Sequence, residues 1–193
     1  EANQLGSYAC STIYGLNYRK YHGLFIIQGK SQNDHQLLLT KFEESVFINS
    51  QVYEISANRL VGGIHPDGYK YLQRFCVDPF PSFTYLIDGR RLEKTIFMPH
   101  YQNTLVIRYT NKDQGVPLKL ILKPILASRD ISGLTHENIK INTDSYYDDR
   151  VVKITPRPDV PELKIYFLKG DYTQAPLWYY NFQYTNQTDD SQN

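Results

Sequence analysis

Ten prolines, at positions 66, 79, 81, 99, 117, 124, 156, 158, 161 and 176, are the strongest constraint on this chain. Inside a helix a proline removes a backbone hydrogen bond and clashes with the preceding turn. Most windows long enough for an amphipathic helix are interrupted this way, and no sustained helical stripe is found. Short apolar or alternating runs separated by turn signals remain, and that spacing predicts a sandwich or barrel.

Leu24 to Gln28 is a short apolar run, and Gln36 to Lys41 follows a polar "SQND" turn. Ser45 to Ile48 and Gln51 to Ile55 flank Asn49-Ser50, which reads as a hairpin. "YKYLQRFCV", residues 69–77, keeps an imperfect period of two and is expected to be a strand. "SFTYLIDGRRLEKTIFM" carries the clearest hairpin, because Asp88-Gly89 suits a turn with positive φ at both central positions. Thr104 to Tyr109 and Leu118 to Leu122 flank the polar stretch "TNKDQGVP". Later strand candidates are Ile139 to Asn142, Val151 to Thr155, Leu163 to Leu168 and Trp178 to Tyr184. The expected fold is therefore all-β, a large antiparallel β-sandwich with few or no helices. It forms one domain over residues 1–185, followed by a polar, frayed tail over 186–193.

A chain of 193 residues hides enough surface to hold a core without disulfides or metals. The formal net charge of +1 provides no overall field for nucleic acid or an anionic membrane. No apolar run approaches a membrane span, and the first residues lack the pattern of a signal peptide. Cys10 and Cys76 lie among aromatic and aliphatic neighbours and read as reduced, buried thiols. The 17 tyrosines favour strands first and sugar stacking second.

The chemical motifs are sparse. The adjacent carboxylates Glu43-Glu44 and Asp148-Asp149 would point to opposite faces of a strand, so neither pair is placed to clasp a glycosidic bond. Both read as solvated turn or edge charges. The five histidines, His22, His35, His65, His100 and His136, lack metal-ligand spacing, and there is no C-x-x-C. Neither a cofactor nor a metal is implied. A nucleophile elbow, a dinucleotide fingerprint and a Walker sequence are likewise missing from the sequence.

Two stretches stand out. In "HPDGYKYL", Pro66, Asp67 and Gly68 suit a tight turn entering a strand, and the turn could present His65 and Asp67 to a ligand or neighbouring domain. In "NYRKYHGLFIIQG", strand alternation would put Arg19, Tyr21 and Gly23 on one face and Lys20 and His22 on the other. Such a split is unlike a phosphate-tracking groove. The reading is a sheet-end loop whose Arg19 and His22 anchor carbonyls or acidic partners. Gly23 would mark a bulge or a close backbone approach.

These residues resemble a known family. "NQLGSYACSTIYGLNYRKYHGLFI" is similar to the opening of the N-terminal domain of bacterial and archaeal glycogen debranching enzymes of the amylo-α-1,6-glucosidase type. Asn3, Gly6, Tyr8, Thr12, Gly15, Arg19, Tyr21, His22, Gly23 and Leu24 match. Ser7 replaces the second glycine of a pair, and Lys20 replaces a second arginine. "LLLTKFEESV", the segment from His65 to His100, "NTLVIRYT", "LKPILASRD" and "WYYNFQY" follow in the family's order.

The resemblance implies the N-terminal part of a longer, cytoplasmic glycoside hydrolase. This sandwich would pack on a catalytic toroid of helical hairpins that carries the acid and base carboxylates, so no catalytic residue is expected here. Arg19, Tyr21, His22, His65, Asp67 and Trp178 are the candidates for carbohydrate or interdomain contact. Trp178, Tyr179, Tyr180 and Phe182 would contribute an exposed docking surface. Expected partners are the C-terminal catalytic domain of the same polypeptide and α-glucan, with no nucleic acid and no membrane. The alternatives are a free-standing carbohydrate-binding sandwich module, or an independent hydrolase using Glu44, Asp67 and Asp130.

Overall fold

The computed structural model describes residues 1–29, 31, 34–113, 115 and 117–185. The expectation for the tail, 186–193, lies outside the described residues. Among the described residues, fourteen strands and one short 3-10 turn, Gly68–Tyr71, make up the regular structure. Among the described residues there is no α-helix, and so none long and apolar enough to cross a membrane.

The first sheet runs β1 (Tyr8–Cys10), β2 (Gly23–Gln28), β3 (His35–Ile48) and β11 (Lys119–Asp130), with β4 (Gln51–Glu54) also paired to β3. The facing sheet runs β10 (Val106–Asn111), β9 (Arg90–Phe97), β8 (Ser82–Ile87) and β7 (Leu72–Cys76). A third sheet, β12 (Ser145–Asp148), β13 (Val151–Ile154) and β14 (Leu163–Tyr166), is separate, as is the hairpin of β5 (Ala57–Leu60) and β6 (Gly63–Asp67). Every pairing is antiparallel. The protein is an antiparallel β-sandwich, as its sequence predicts.

The turns follow from residue chemistry. Asp88 and Gly89 have φ of 49° and 73°, and Asn49 and Ser50 have 47° and 66°, so both hairpins have positive φ at both central residues. The right-handed strand twist favours that geometry. Asp149 and Arg150 repeat it between β12 and β13.

Five expectations need correction. Residues 69–77 are not one strand, because Gly68–Tyr71 coil into the 3-10 turn and β7 starts at Leu72. Gly68 is held there by a 2.8 Å bond from its N–H to the Ser56 carbonyl, and a Cβ would run into the Ile55 backbone. Gln36–Lys41 and Ser45–Ile48 fuse into the single 14-residue β3. The strand expected to stop at Leu122 continues through Pro124 to Asp130. β11 lies at the edge of its sheet, where a missing N–H breaks no ladder. Ile139–Asn142 and Trp178–Tyr184 are not strands; the latter makes only an isolated bridge, Leu60 with Phe182.

Two apolar clusters fill the space between the sheets. One gathers Leu24, Phe25, Leu38, Leu39, Ile96 and Met98, with Val160 and Leu163 from the third sheet side. The other gathers Val46, Ile48, Ile55, Tyr85, Ile87 and Leu92. A polar belt lies between them. Along β3, Lys41 and Glu44 separate Leu39 from Val46, and along β9, Lys94 separates Leu92 from Ile96.

Candidate functional site

The residues from Ser11 to His22 form a long loop ahead of β2, and it reaches two other segments. Tyr14 packs edge-to-face on Tyr69 at 5.9 Å, which links the loop to the 3-10 turn after Asp67. Farther along, the Thr185 N–H donates to the Tyr18 carbonyl at 2.8 Å, and the Arg59 guanidinium lies 5.3 Å over the Tyr18 ring. The loop thus joins the Asp67 turn to the C-terminal segment.

The strand alternation expected for Arg19 to His22 does not hold. Residues 19–21 form a turn closed by a 3.0 Å bond from the His22 N–H to the Arg19 carbonyl, and the strand begins at Gly23. Gly23 is a close approach as expected, since a Cβ would press on the Leu37 side chain and lie 3.3 Å from the Leu39 carbonyl. His22 is half-buried against Tyr21 at 5.3 Å, and its buried Nδ1 has no partner among the described residues. Burial lowers its pKa, the nearby Leu16 backbone opposes this, and the Arg19 charge lowers it further. The neutral imidazole is favoured, so His22 is not a cationic anchor.

The anchor is Arg129. Its Nη2 donates to the Lys20 carbonyl at 2.6 Å, and its Nη1 donates to the Asp130 and Ile131 carbonyls at 3.0 and 3.2 Å. Burial lowers its pKa, partly offset by Tyr184. One planar fork therefore ties the loop to the end of β11. Asn3 does the same for the chain start. Its Nδ2 donates to the Gln102 carbonyl and Asn103 Oδ1, and its Oδ1 accepts from the Leu5 and Ser7 N–H groups. Both residues lie in stretches that carry the family resemblance, yet residue type alone gave neither a role.

His65 is exposed on β6. Asp67 is exposed too and pairs with Lys70 at 2.8 Å, and that hydrogen bond lowers its pKa. Trp178 is half-buried and shares no hydrogen bond or ring contact with the other candidates among the described residues. Its neighbours divide. Tyr179 donates to Glu43 at 2.7 Å, Tyr180 bonds Glu137, and Phe182 stacks on Tyr179 at 6.4 Å. Tyr180 nevertheless stays 56% exposed and Leu177 79%. The segment is pinned to this domain on one side and open on the other.

The carboxylates behave differently from expectation. Glu44 is buried, with its Oε1 bound by Lys94 at 2.5 Å and by the Tyr109 hydroxyl. Glu43 accepts from Asn58 at 2.7 Å and from Tyr179. Neither is a solvated edge charge, because the belt between the core clusters and the C-terminal segment cover them. Asp148 and Asp149 are exposed at a hairpin turn, as expected. Lys41 completes the belt. Its Nζ donates to the Gly15 and Ala57 carbonyls at 3.0 and 2.6 Å, and burial brings its pKa down to about 8. Asp130 accepts from the Ser132 N–H and hydroxyl, which lowers its pKa. Glu44, Asp67 and Asp130 are engaged by separate partners, Lys94 with Tyr109, Lys70, and Ser132 in turn. Cys10 and Cys76 are free thiols and only half-buried. Among the described residues no three His, Cys, Asp or Glu side chains gather around a metal position.

Fold and surface together define an antiparallel β-sandwich domain whose interior charges organise loops and strands. The family model for the glycogen debranching enzyme N-terminal domain matches residues 1–193, and the chain belongs to that family. No curated protein and no solved structure matches it.

Proposed function

We propose that this chain is the non-catalytic N-terminal domain of a cytoplasmic glycogen debranching enzyme of the amylo-α-1,6-glucosidase type. It packs on a helical-toroid catalytic domain of the same polypeptide and contributes to α-glucan binding. The observation that carries this reading is the family match over all 193 residues. The open side of the C-terminal segment supports the docking role. Leu168 and Leu177 are each 79% exposed, close in sequence to the half-exposed Tyr180. Apolar surface left in the open commonly marks a partner site.

The test uses the full-length polypeptide and a branched limit dextrin. Glucose release is the expected result, and a Leu177→Asp, Tyr180→Asp variant should release markedly less because its docking edge is charged. A full-length protein that releases no glucose, or a charged variant as active as the parent, refutes the reading.

A further inference from the structure

The outer face of the β7 to β10 sheet carries an unassigned site. Strand alternation puts Arg74, Thr84, Glu93 and Thr110 in one cross-strand row, and Cys76, Ser82, Thr95 and Arg108 in the next. Over these rows lies an open cavity of about 170 Å³, lined by Arg74, Cys76, Asp78, Ser82, Thr84 and Glu93.

The hydrogen bonds there are incomplete. Ser82 donates to the Phe80 carbonyl at 3.0 Å, and one Glu93 oxygen is held by Lys112 at 3.0 Å. The side chains of Arg74, Asp78 and Thr84 have no hydrogen bond or ion pair among the described residues. One cavity therefore offers a guanidinium, a carboxylate and a hydroxyl with no protein partner.

The charges select the ligand class. Arg74 balances Asp78, and Lys112 balances Glu93. Arg108 sits on the edge strand and does not line the cavity. An anion entering would meet two carboxylates, and a cation would meet Arg74. A neutral molecule dense in hydroxyls can donate to the carboxylates and accept from the guanidinium at once. Beside these rows, Phe80 stacks on Phe97 at 5.0 Å and stays 38% exposed. Phe97 continues the outward series Glu93, Thr95, Phe97 along β9. An apolar ring next to mixed hydrogen-bonding groups fits a pyranose, which has hydroxyls at its rim and C–H groups on its faces.

We propose that this groove binds a stretch of neutral α-glucan, with Arg74, Asp78 and Glu93 taking its hydroxyls and Phe80 taking a ring face. This site gives a location to the glucan contact of the proposed function, and so rests on that reading.

The test uses the full-length polypeptide with two readouts. Saturating maltoheptaose should slow amide exchange in Ser82–Thr84 and Glu93–Thr95, and inorganic phosphate should leave the same amides unchanged. In glycogen-containing gels, an Arg74→Ala, Asp78→Asn variant should bind about tenfold more weakly than the parent, the effect of losing a charge-assisted hydrogen bond. No protection by maltoheptaose, equal protection by phosphate, or unchanged retardation of the variant each overturns the groove. Glucose release from branched dextrin is scored separately. Release without groove protection leaves the domain reading standing, and protection without release does the reverse.

Discussion

The two faces of the β7 to β10 sheet are built from the same strands and treat charge in opposite ways. On the inner face, Lys94 meets Glu44 at 2.5 Å, and the Tyr109 hydroxyl completes the carboxylate's shell. On the outer face, Arg74 and Asp78 share a cavity yet have no protein partner among the described residues. The difference is one of solvent. An unpaired charge inside would lose several kcal/mol of hydration, so the interior holds charge only where protein groups replace that water, a carboxylate for Lys94 and backbone carbonyls for Lys41 and Arg129. Water satisfies the outer groups at little cost, and a ligand with hydroxyls can replace that water. Charge inside is engaged by protein groups, whereas Arg74 and Asp78 outside are left to solvent.

The largest expected effect breaks the inner set. Lys94→Met removes the ammonium and leaves Glu44 buried without its cation, which should destabilise the chain by about 4 kcal/mol in chemical denaturation. Replacing the whole set, Lys94→Met with Glu44→Leu and Tyr109→Phe, should recover most of that loss, because the cost lies in the orphaned charge and no buried hydroxyl is left without its acceptor. A single variant as stable as the parent would show that the belt is not a matched set.

The second effect is on pH. Lys41 ordinarily titrates at 10.5 and is lowered to about 8, first by burial, opposed by Glu44 and reinforced by Lys94. Between those values the unfolded chain binds more protons than the folded one, so stability rises with pH. From pH 8 to pH 10 the rise should reach about 2 kcal/mol. The buried hydroxyls of Tyr85 and Tyr109 run the other way. Their raised pKa values keep them protonated in the fold after the unfolded chain begins to lose those protons, so stability falls above about pH 10. Denaturation midpoints at pH 7, 9.5 and 11 check this shape, and Lys41→Met should flatten the rising limb alone.

Much of the sandwich was legible in sequence because turn chemistry is local. Asp88-Gly89 and Asn49-Ser50 declare their hairpins within two residues. Sequence and structure part where distant contacts decide. Pro124 looks like a strand end until its strand is known to be an edge. Tyr69 and Tyr71 look alternating until Gly68 is seen pressed on Ile55. The site was less legible. Arg19 and His22 drew notice as a dense run, but Arg129, more than a hundred positions away, holds their loop, and its sequence signal is only an arginine at the end of a strand. Glu43 and Glu44 resembled solvated charges because nothing nearby in sequence reveals Lys94, Tyr109 or Tyr179. The outer groove is illegible in sequence for the same reason, since Arg74, Thr84 and Glu93 become one row only after three strands pair.

The smallest expected effect completes the comparison. Arg74→Ala removes a charge as formal as that of Lys94, yet its stability cost should stay within about 0.5 kcal/mol, because no protein group is orphaned and water fills the gap. Glu93→Gln should cost about 0.5 kcal/mol, the usual size for an exposed pair such as Lys112–Glu93, and that loss should shrink as salt is raised. Denaturation of both variants beside Lys94→Met supplies the measurement. If Arg74→Ala cost as much as Lys94→Met, the outer guanidinium would have to be structural, and its availability to a ligand would no longer follow from its lack of a partner.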